Sequence, residues 1–186
     1  MTKTTDRHRG SDAAFPEDKV TVRAKNVAVG ISCCMKAIKT LWASAAALAI
    51  VLVYAAASAA PVRIGDWYLG LKLPSFALSS GAMTALWAVC YTCDVVVLCR
   101  AIVGKKTSRS VAVIASGVAG ALWSFTFFSL HSLEAALVFA ITAAALRIAA
   151  AVLCFKDALA RIVAAVASAA ALYCAVLAYF VTIMNV

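Results

Sequence analysis

Five long apolar runs divide the chain, and each has about the length that crosses a lipid bilayer. A helix needs about 20 residues, at 1.5 Å per residue, to span about 30 Å of hydrocarbon. The loops between the runs are short, so consecutive helices should be antiparallel neighbours. The pattern predicts an all-α integral membrane protein, a bundle of five transmembrane helices. The predicted spans are residues 40–60, 77–99, 110–130, 135–155 and 162–184.

Composition supports a membrane protein and argues against a soluble domain. Of the 186 residues, 65% are hydrophobic and 13% are charged. An average soluble domain is about 45–50% apolar and about 25% charged. A soluble domain of this length leaves a large part of its surface exposed to water, so it has no core that could bury so many apolar side chains.

The region ahead of the first span is polar and basic. Its first 18 residues are mixed in charge and rich in turn formers, which predicts disorder. Residues 19–39 mix basic and apolar residues, and we expect them to lie on the membrane surface or to begin the first helix early. We therefore divide the chain into a disordered basic N-terminal tail, residues 1–37, and a five-helix membrane domain, residues 38–186.

The basic residues predict the orientation of the chain in its membrane. Fourteen lie ahead of the first span or around the second and fourth loops, two lie in the first loop, and Arg147 lies inside a span. The positive-inside rule then places the N-terminus in the cytoplasm and the C-terminus outside. The net charge of +9 suits anionic lipid headgroups and needs no nucleic acid. Acidic residues in the tail favour a bacterial cell membrane, because mitochondrial presequences are poor in acids.

Tryptophans stand out in spans that are otherwise rich in alanine. An aromatic belt at the membrane surface explains Trp67 and Tyr68 in the first loop. It does not explain Trp87, near the middle of the second span, or Trp123, past the middle of the third. An indole N–H at that depth has no headgroup to bond and needs a partner in the bundle or in a ligand. These rings are either bundle packing or the walls of a binding site.

The spacing of the aromatic residues resembles the TspO/MBR family, the tryptophan-rich sensory proteins and translocator proteins, over residues 40–186. The family's join between its first two helices reads W-Y-x-x-L-x-K-P-x-W-x-P-P, its second helix W-x-x-x-Y and its third N-x-x-W-x-x-x-F-F. The fifth helix carries an asparagine near its end, as Asn185 does here. In register with the three motifs stand Trp67, Tyr68, Leu71, Pro74 and Phe76, then Trp87 and Tyr91, then Trp123, Phe127 and Phe128.

Five positions depart from the family's motifs. Phe76 replaces the second tryptophan of the loop, Leu73 replaces the lysine before the proline, Leu78-Ser79 replaces the double proline, and Gly120 replaces the asparagine. Without the two prolines, the second span is predicted to start earlier and the loop to be less rigid. No basic residue follows Tyr179, so the sterol-recognition pattern is absent and a sterol ligand is unsupported.

The resemblance implies a membrane protein that binds a tetrapyrrole, a porphyrin or haem-type ligand, and acts in tetrapyrrole transport, sequestration or stress sensing. It implies no required cofactor, and the family tends to form homodimers. The loop from Trp67 to Pro74 would act as a lid, and Arg63 and Lys72 would meet the ligand's propionates. The candidate ligand-binding residues are Trp67, Tyr68, Phe76, Trp87, Tyr91, Trp123, Phe127 and Phe128.

Asp94 and Arg147 are the formal charges predicted to lie deep within spans. Each costs about 2.5–3.5 kcal/mol on insertion scales, so such residues usually mark a partner or a polar pathway. They are interpreted as an ion pair across the bundle, as ligand contacts or as snorkelling side chains. They also support an alternative function, a small proton-coupled transporter or efflux subunit. The sequence has no recognisable catalytic triad, phosphate-binding loop or metal cluster, so no catalytic residue is predicted.

Overall fold

The computed structural model describes residues 17–186, which form six α-helices. Five of them, all except the short α2, are long and apolar enough to cross a membrane. The prediction of an all-α protein with five transmembrane helices is therefore confirmed. The helices are α1 (Glu17–Ala59), α2 (Asp66–Leu69), α3 (Ser80–Val103), α4 (Thr107–Phe128), α5 (Leu133–Leu153) and α6 (Ala158–Asn185).

The start of α3 differs from the prediction. The missing prolines suggested an early start, and the predicted span began at Ala77, but α3 begins at Ser80. Ser79 supplies the reason, because its hydroxyl accepts a hydrogen bond from the backbone N–H of Ala82 at 3.3 Å. A serine in this position is an N-cap that satisfies one of the free N–H groups of the first turn. The predicted start at Ala77 was therefore three residues too early.

The first helix extends far beyond its predicted span. It begins at Glu17, so residues 17–37, predicted as part of a disordered tail, are helical. The alternative expectation, that residues 19–39 begin the first helix early, is confirmed. Residues 1–16 lie outside the described residues. No proline occurs between positions 17 and 59, and the alanines, lysines and arginines of this segment are good helix formers. A helix formed by the apolar run therefore propagates toward the N-terminus at little cost.

The membrane bundle is the second of two units, Lys39–Val186. Four of its helices form a closed ring, in which α3 packs on α4, α4 on α5, α5 on α6 and α6 on α3. Helices in lipid gain little from burial away from water, and they associate through close contact of small side chains. Alanines supply these contacts, and those buried in the ring include Ala112, Ala140, Ala144, Ala164 and Ala167.

The part of α1 that belongs to the bundle packs through Tyr54. The phenol ring lies against Gly117 of α4, so closely that a Cβ added at that glycine would lie 2.7 Å from a ring carbon. Tyr54, Ala47 and Val51 are buried in the same apolar cluster as Leu98 of α3. A side chain of any size at position 117 would push Tyr54, and α1 with it, away from the four-helix ring of α3 to α6.

Asp157 connects three helices at the end of the bundle where α3 ends and α6 begins. Its carboxylate accepts a hydrogen bond from Arg100 Nε at 2.7 Å and lies 3.8 Å from Arg109 Nη1. It also caps α6 by accepting the backbone N–H of Ala160 at 3.2 Å. The hydrogen bond from Arg100 is the main cause that lowers the pKa of Asp157 below its ordinary value. The carboxylate therefore stays charged in mild acid.

Candidate ligand-binding site

The two deep tryptophans lie nearly face to face between α3 and α4. The ring centroids of Trp87 and Trp123 are 5.8 Å apart and their planes meet at 29°. Tyr91 stacks on Trp87 at 5.8 Å, and Phe127 stacks on Trp123 at 5.5 Å. Residues four apart share one helix face, so these four rings form one continuous stack. We call Tyr91, Trp87, Trp123 and Phe127 the aromatic column.

The rings of α2 extend the column where α4 ends. Trp67 contacts Phe127 edge to face at 5.2 Å and stacks on the imidazole of His131 at 4.4 Å. Tyr68 stacks on Phe128 at 6.0 Å. His131, in the turn between α4 and α5, has a φ of 53°, a left-handed conformation that is uncommon outside glycine. The short helix of the first loop therefore caps this end of the column.

Phe76 lies away from the column. Its ring contacts Tyr173 at 6.5 Å and Phe180 at 5.4 Å, both on α6. The structure connects seven of the eight predicted ligand-binding aromatics into one set through ring contacts and separates Phe76 from them. The separation arises because the second half of the loop runs along α6, whereas α2 packs on the end of α4.

Two side chains of α6 hold this second half of the loop. Asn185 Oδ1 accepts the backbone N–H of Lys72 at 2.8 Å, and Asn185 Nδ2 donates to the carbonyl of the same residue at 2.9 Å. The Tyr173 hydroxyl accepts the N–H of Leu78 and donates to the carbonyl of Phe76, both at 3.1 Å. All four bonds are made to backbone groups of the loop. These bonds therefore fix the path of the loop without a proline pair.

A narrow cavity lies beside the column, inside the ring of α3 to α6. The space open to the centre of a water molecule is about 20 Å³, which is room for about one water. A ligand larger than water can enter only if the loop or the helices move apart. The cavity is lined by small alanines, by Trp87, Trp123, Gly120 and Cys174, and by the polar side chains of Ser116 and Arg147.

Asp94 and Arg147 form a buried ion pair between α3 and α5. Arg147 Nη1 donates to Asp94 Oδ1 at 2.6 Å, and Nη2 donates to Oδ2 at 2.8 Å. The Tyr54 hydroxyl donates a third bond to Oδ2 at 2.9 Å. The two charged side chains are 5% and 6% exposed. This is a bidentate pair with a neutral hydrogen-bond partner, an arrangement that compensates both charges within the protein.

Tyr54 and Ser116 belong to the site but were not predicted from the sequence. Tyr54 has a polar tip in the middle of an apolar span, and such a tip usually finds a partner when it is buried. Ser116 lies seven residues before Trp123, with Gly120 between them, so that all three share one helix face. That periodicity is visible in the sequence. The helix that Tyr54 contacts cannot be seen in the sequence, because the contact depends on how the spans assemble.

Comparison with known protein families supports the same identification from the sequence side. Residues 43–186 match the TspO/MBR family, a range that contains α3 to α6, the loop with α2 and the part of α1 that carries Tyr54. No curated protein matches the chain. The family match covers well over half of the 186 residues. The chain therefore belongs to the TspO/MBR family of integral membrane proteins.

Proposed function

We propose that the protein binds a tetrapyrrole of the porphyrin or haem type in the membrane, at the aromatic column and the cavity beside it, and that it serves tetrapyrrole transport, sequestration or stress sensing. Family membership supports a membrane role in tetrapyrrole binding or transport. The observation that carries the proposal is the stack of Trp87 on Trp123 beside a cavity, beneath a loop tied to α6. Flat aromatic ligands bind well on such walls.

Ligand entry requires the site to open. The cavity has room for about one water, whereas two rings that enclose a flat ligand need about 3.5–4.0 Å between carbon atoms on each of its faces. The loop is the element best placed to move, because its hold on α6 depends on the side chains of Asn185 and Tyr173. The ligand's carboxylates would remain at the loop end, where Arg63 and Lys72 are exposed.

Quenching of tryptophan fluorescence by protoporphyrin IX tests the proposal. Dissociation constants are read from the midpoint of the titration, because each variant changes the signal amplitude. Trp87→Phe and Trp123→Phe should each weaken binding by about threefold to tenfold, the value of one aromatic contact. Trp42→Phe is the matched control, because Trp42 is 73% exposed on α1 and takes no part in the column. Unchanged affinity in both column variants would refute the site.

The orientation proposed here follows from the charges and has its own test. The N-terminus and the end with Asp157 face the cytoplasm, and the loop faces outward. A membrane-impermeant maleimide should label Ser75→Cys in intact cells, and label Lys105→Cys only after lysis, each read against the parent chain. The reverse pattern would overturn the orientation. The homodimer expected for the family is tested by light scattering of the purified protein.

The alternative, a proton-coupled transporter or efflux subunit, rests on Asp94 and Arg147. The geometry favours a structural role for them, because Asp94 already accepts three hydrogen bonds and a proton acceptor in a transport cycle must exchange such partners. Substrate flux that follows a proton gradient and disappears in Asp94→Asn, in a variant that still folds, would favour the transporter instead.

A further inference from the structure

One face of α4 forms a polar wall of the cavity. Ser116, Gly120 and Trp123 follow one another at intervals of four and three residues, which places them on one side of the helix. All three line the cavity. Gly120 has no side chain, and a Cβ there would lie 3.9 Å from the ring of Trp87. Gly120 therefore leaves room for about one methyl group beside the ring of Trp87, between the two polar members, and we call these three residues the α4 wall.

Both polar members of the α4 wall are buried without a partner. Ser116 is 1% exposed, and neither its hydroxyl oxygen nor the indole nitrogen of Trp123 has a hydrogen-bond partner among the described residues. Buried polar groups in folded proteins are almost always paired, so two such groups on residues that line one cavity need an explanation. An indole N–H is a donor only. A group that forms a hydrogen bond with the Trp123 N–H must therefore be an acceptor.

The charge next to the wall decides which kind of acceptor fits. Arg147 also lines the cavity, but its positive charge is already matched by Asp94 through two hydrogen bonds. A carboxylate in the cavity would be a second anion beside one cation in a medium of low dielectric constant, which is unfavourable. A neutral carbonyl oxygen carries no such penalty and accepts from both a hydroxyl and an N–H.

We infer that the α4 wall binds neutral carbonyl oxygens of the ligand. The consequence is a preference among tetrapyrroles. Porphyrins carry their oxygen atoms as carboxylates, whereas open-chain tetrapyrroles also carry lactam carbonyls on their terminal rings. The protein should therefore hold an open-chain tetrapyrrole with a carbonyl at Ser116 or Trp123 and its carboxylates outside the cavity. This inference rests on the proposed function, because the aromatic column supplies the surface for the pyrrole rings.

The test compares two ligands in three proteins. Biliverdin, which has lactam carbonyls, and protoporphyrin IX, which has none, are titrated against the parent chain, Ser116→Ala and Ser168→Ala in detergent. Ser116→Ala should weaken biliverdin binding about fivefold more than it weakens protoporphyrin binding, the effect of one lost hydrogen bond. Ser168→Ala is the matched control, because its buried hydroxyl bonds the carbonyl of Ala164 within α6 and does not line the cavity. It should leave the ratio of the two affinities unchanged.

A second readout observes the wall directly. The indole N–H signal of Trp123, assigned by its loss in Trp123→Phe, should move downfield in the nuclear magnetic resonance spectrum when biliverdin binds, because a new hydrogen bond forms. Protoporphyrin, whose ring current moves a stacked indole upfield, should cause no downfield movement. Equal effects of Ser116→Ala on both ligands, or a stationary Trp123 signal, would overturn the inference and leave the serine a packing or water-binding residue. Binding of protoporphyrin without biliverdin would defeat this inference alone. Binding of neither ligand would also defeat the proposed function.

Discussion

Replacing the buried ion pair one member at a time should damage the protein far more than replacing both members. Asp94→Leu leaves a buried guanidinium without its anion, and Arg147→Met leaves a buried carboxylate without its cation. Each side chain is about 95% buried, and removal of one partner from such a pair costs about 3–5 kcal/mol. Unfolding temperatures of domains of this size fall by about 2–4 °C per kcal/mol. Each single variant should therefore unfold about 6–20 °C below the parent.

The double variant separates charge compensation from packing. With both charges gone, apolar side chains of similar volume fill the site, and the main remaining defect is the Tyr54 hydroxyl, which has lost its acceptor. An unpaired buried hydroxyl costs about 1–3 kcal/mol. The double variant should recover most of the lost stability, and addition of Tyr54→Phe should recover most of the rest. This ordering is the signature of groups that act as a unit.

The buried cysteines supply the assay. Cys90, Cys93 and Cys154 are buried, so a thiol-reactive fluorescent dye labels them only when the bundle opens on heating. Cys33 and Cys34 are exposed and set the baseline before the transition. A double variant no more stable than the weaker single variant would refute the reasoning, because it would show that the two charges contribute independently.

Three further perturbations test other contacts of the bundle. Gly117→Ala should lower the unfolding temperature in the same assay, because the added Cβ would lie 2.7 Å from the Tyr54 ring. Gly81→Ala, with no atom within 4 Å of the added Cβ, should be neutral or slightly stabilising, because alanine favours a helix. Equal effects of the two changes would contradict the close packing of α1. Asn185→Ala should release the loop, with faster hydrogen exchange over residues 70–76 and faster porphyrin association, and unchanged exchange would show that the amide does not hold it. The pKa of Asp157 is lowered, so this residue stabilises the fold above the ordinary carboxyl range and stops doing so as the pH falls through the lower, folded-state pKa. Arg100→Gln should move that loss of stability to higher pH in an acid titration. An unchanged titration would show that the pairing with Arg100 does not cause the lowered pKa.

The spans and the ring stack at the centre of the candidate site could be predicted from the sequence because both depend on local patterns. Run length alone locates the five membrane helices, since the thickness of the bilayer sets the requirement. Spacing of four residues places Trp87 with Tyr91 and Trp123 with Phe127 on common faces. The family motif then brings the two helices together at the tryptophans.

The rest depends on contacts between distant parts of the chain. Phe76 was grouped with the other aromatics, but Tyr173, 97 residues away, bonds its carbonyl and holds it at α6. The pairing of Tyr54 with Asp94 joins positions 40 residues apart. The start of α3 was predicted incorrectly, although Ser79, the N-cap that fixes it, is a residue type that favours this position.

The anchoring of the loop by α6 sets an order for the assembly of the protein in its membrane. The loop leaves the ribosome after the first span, but Asn185 lies 113 residues beyond Lys72 and belongs to the last helix. The first four spans can insert while the loop is still untethered. The site therefore becomes closed only when α6 takes its place between α3 and α5. A chain arrested before that helix would leave the aromatic column without α6 beside it, and insertion of the final span is the step that ties the loop in place.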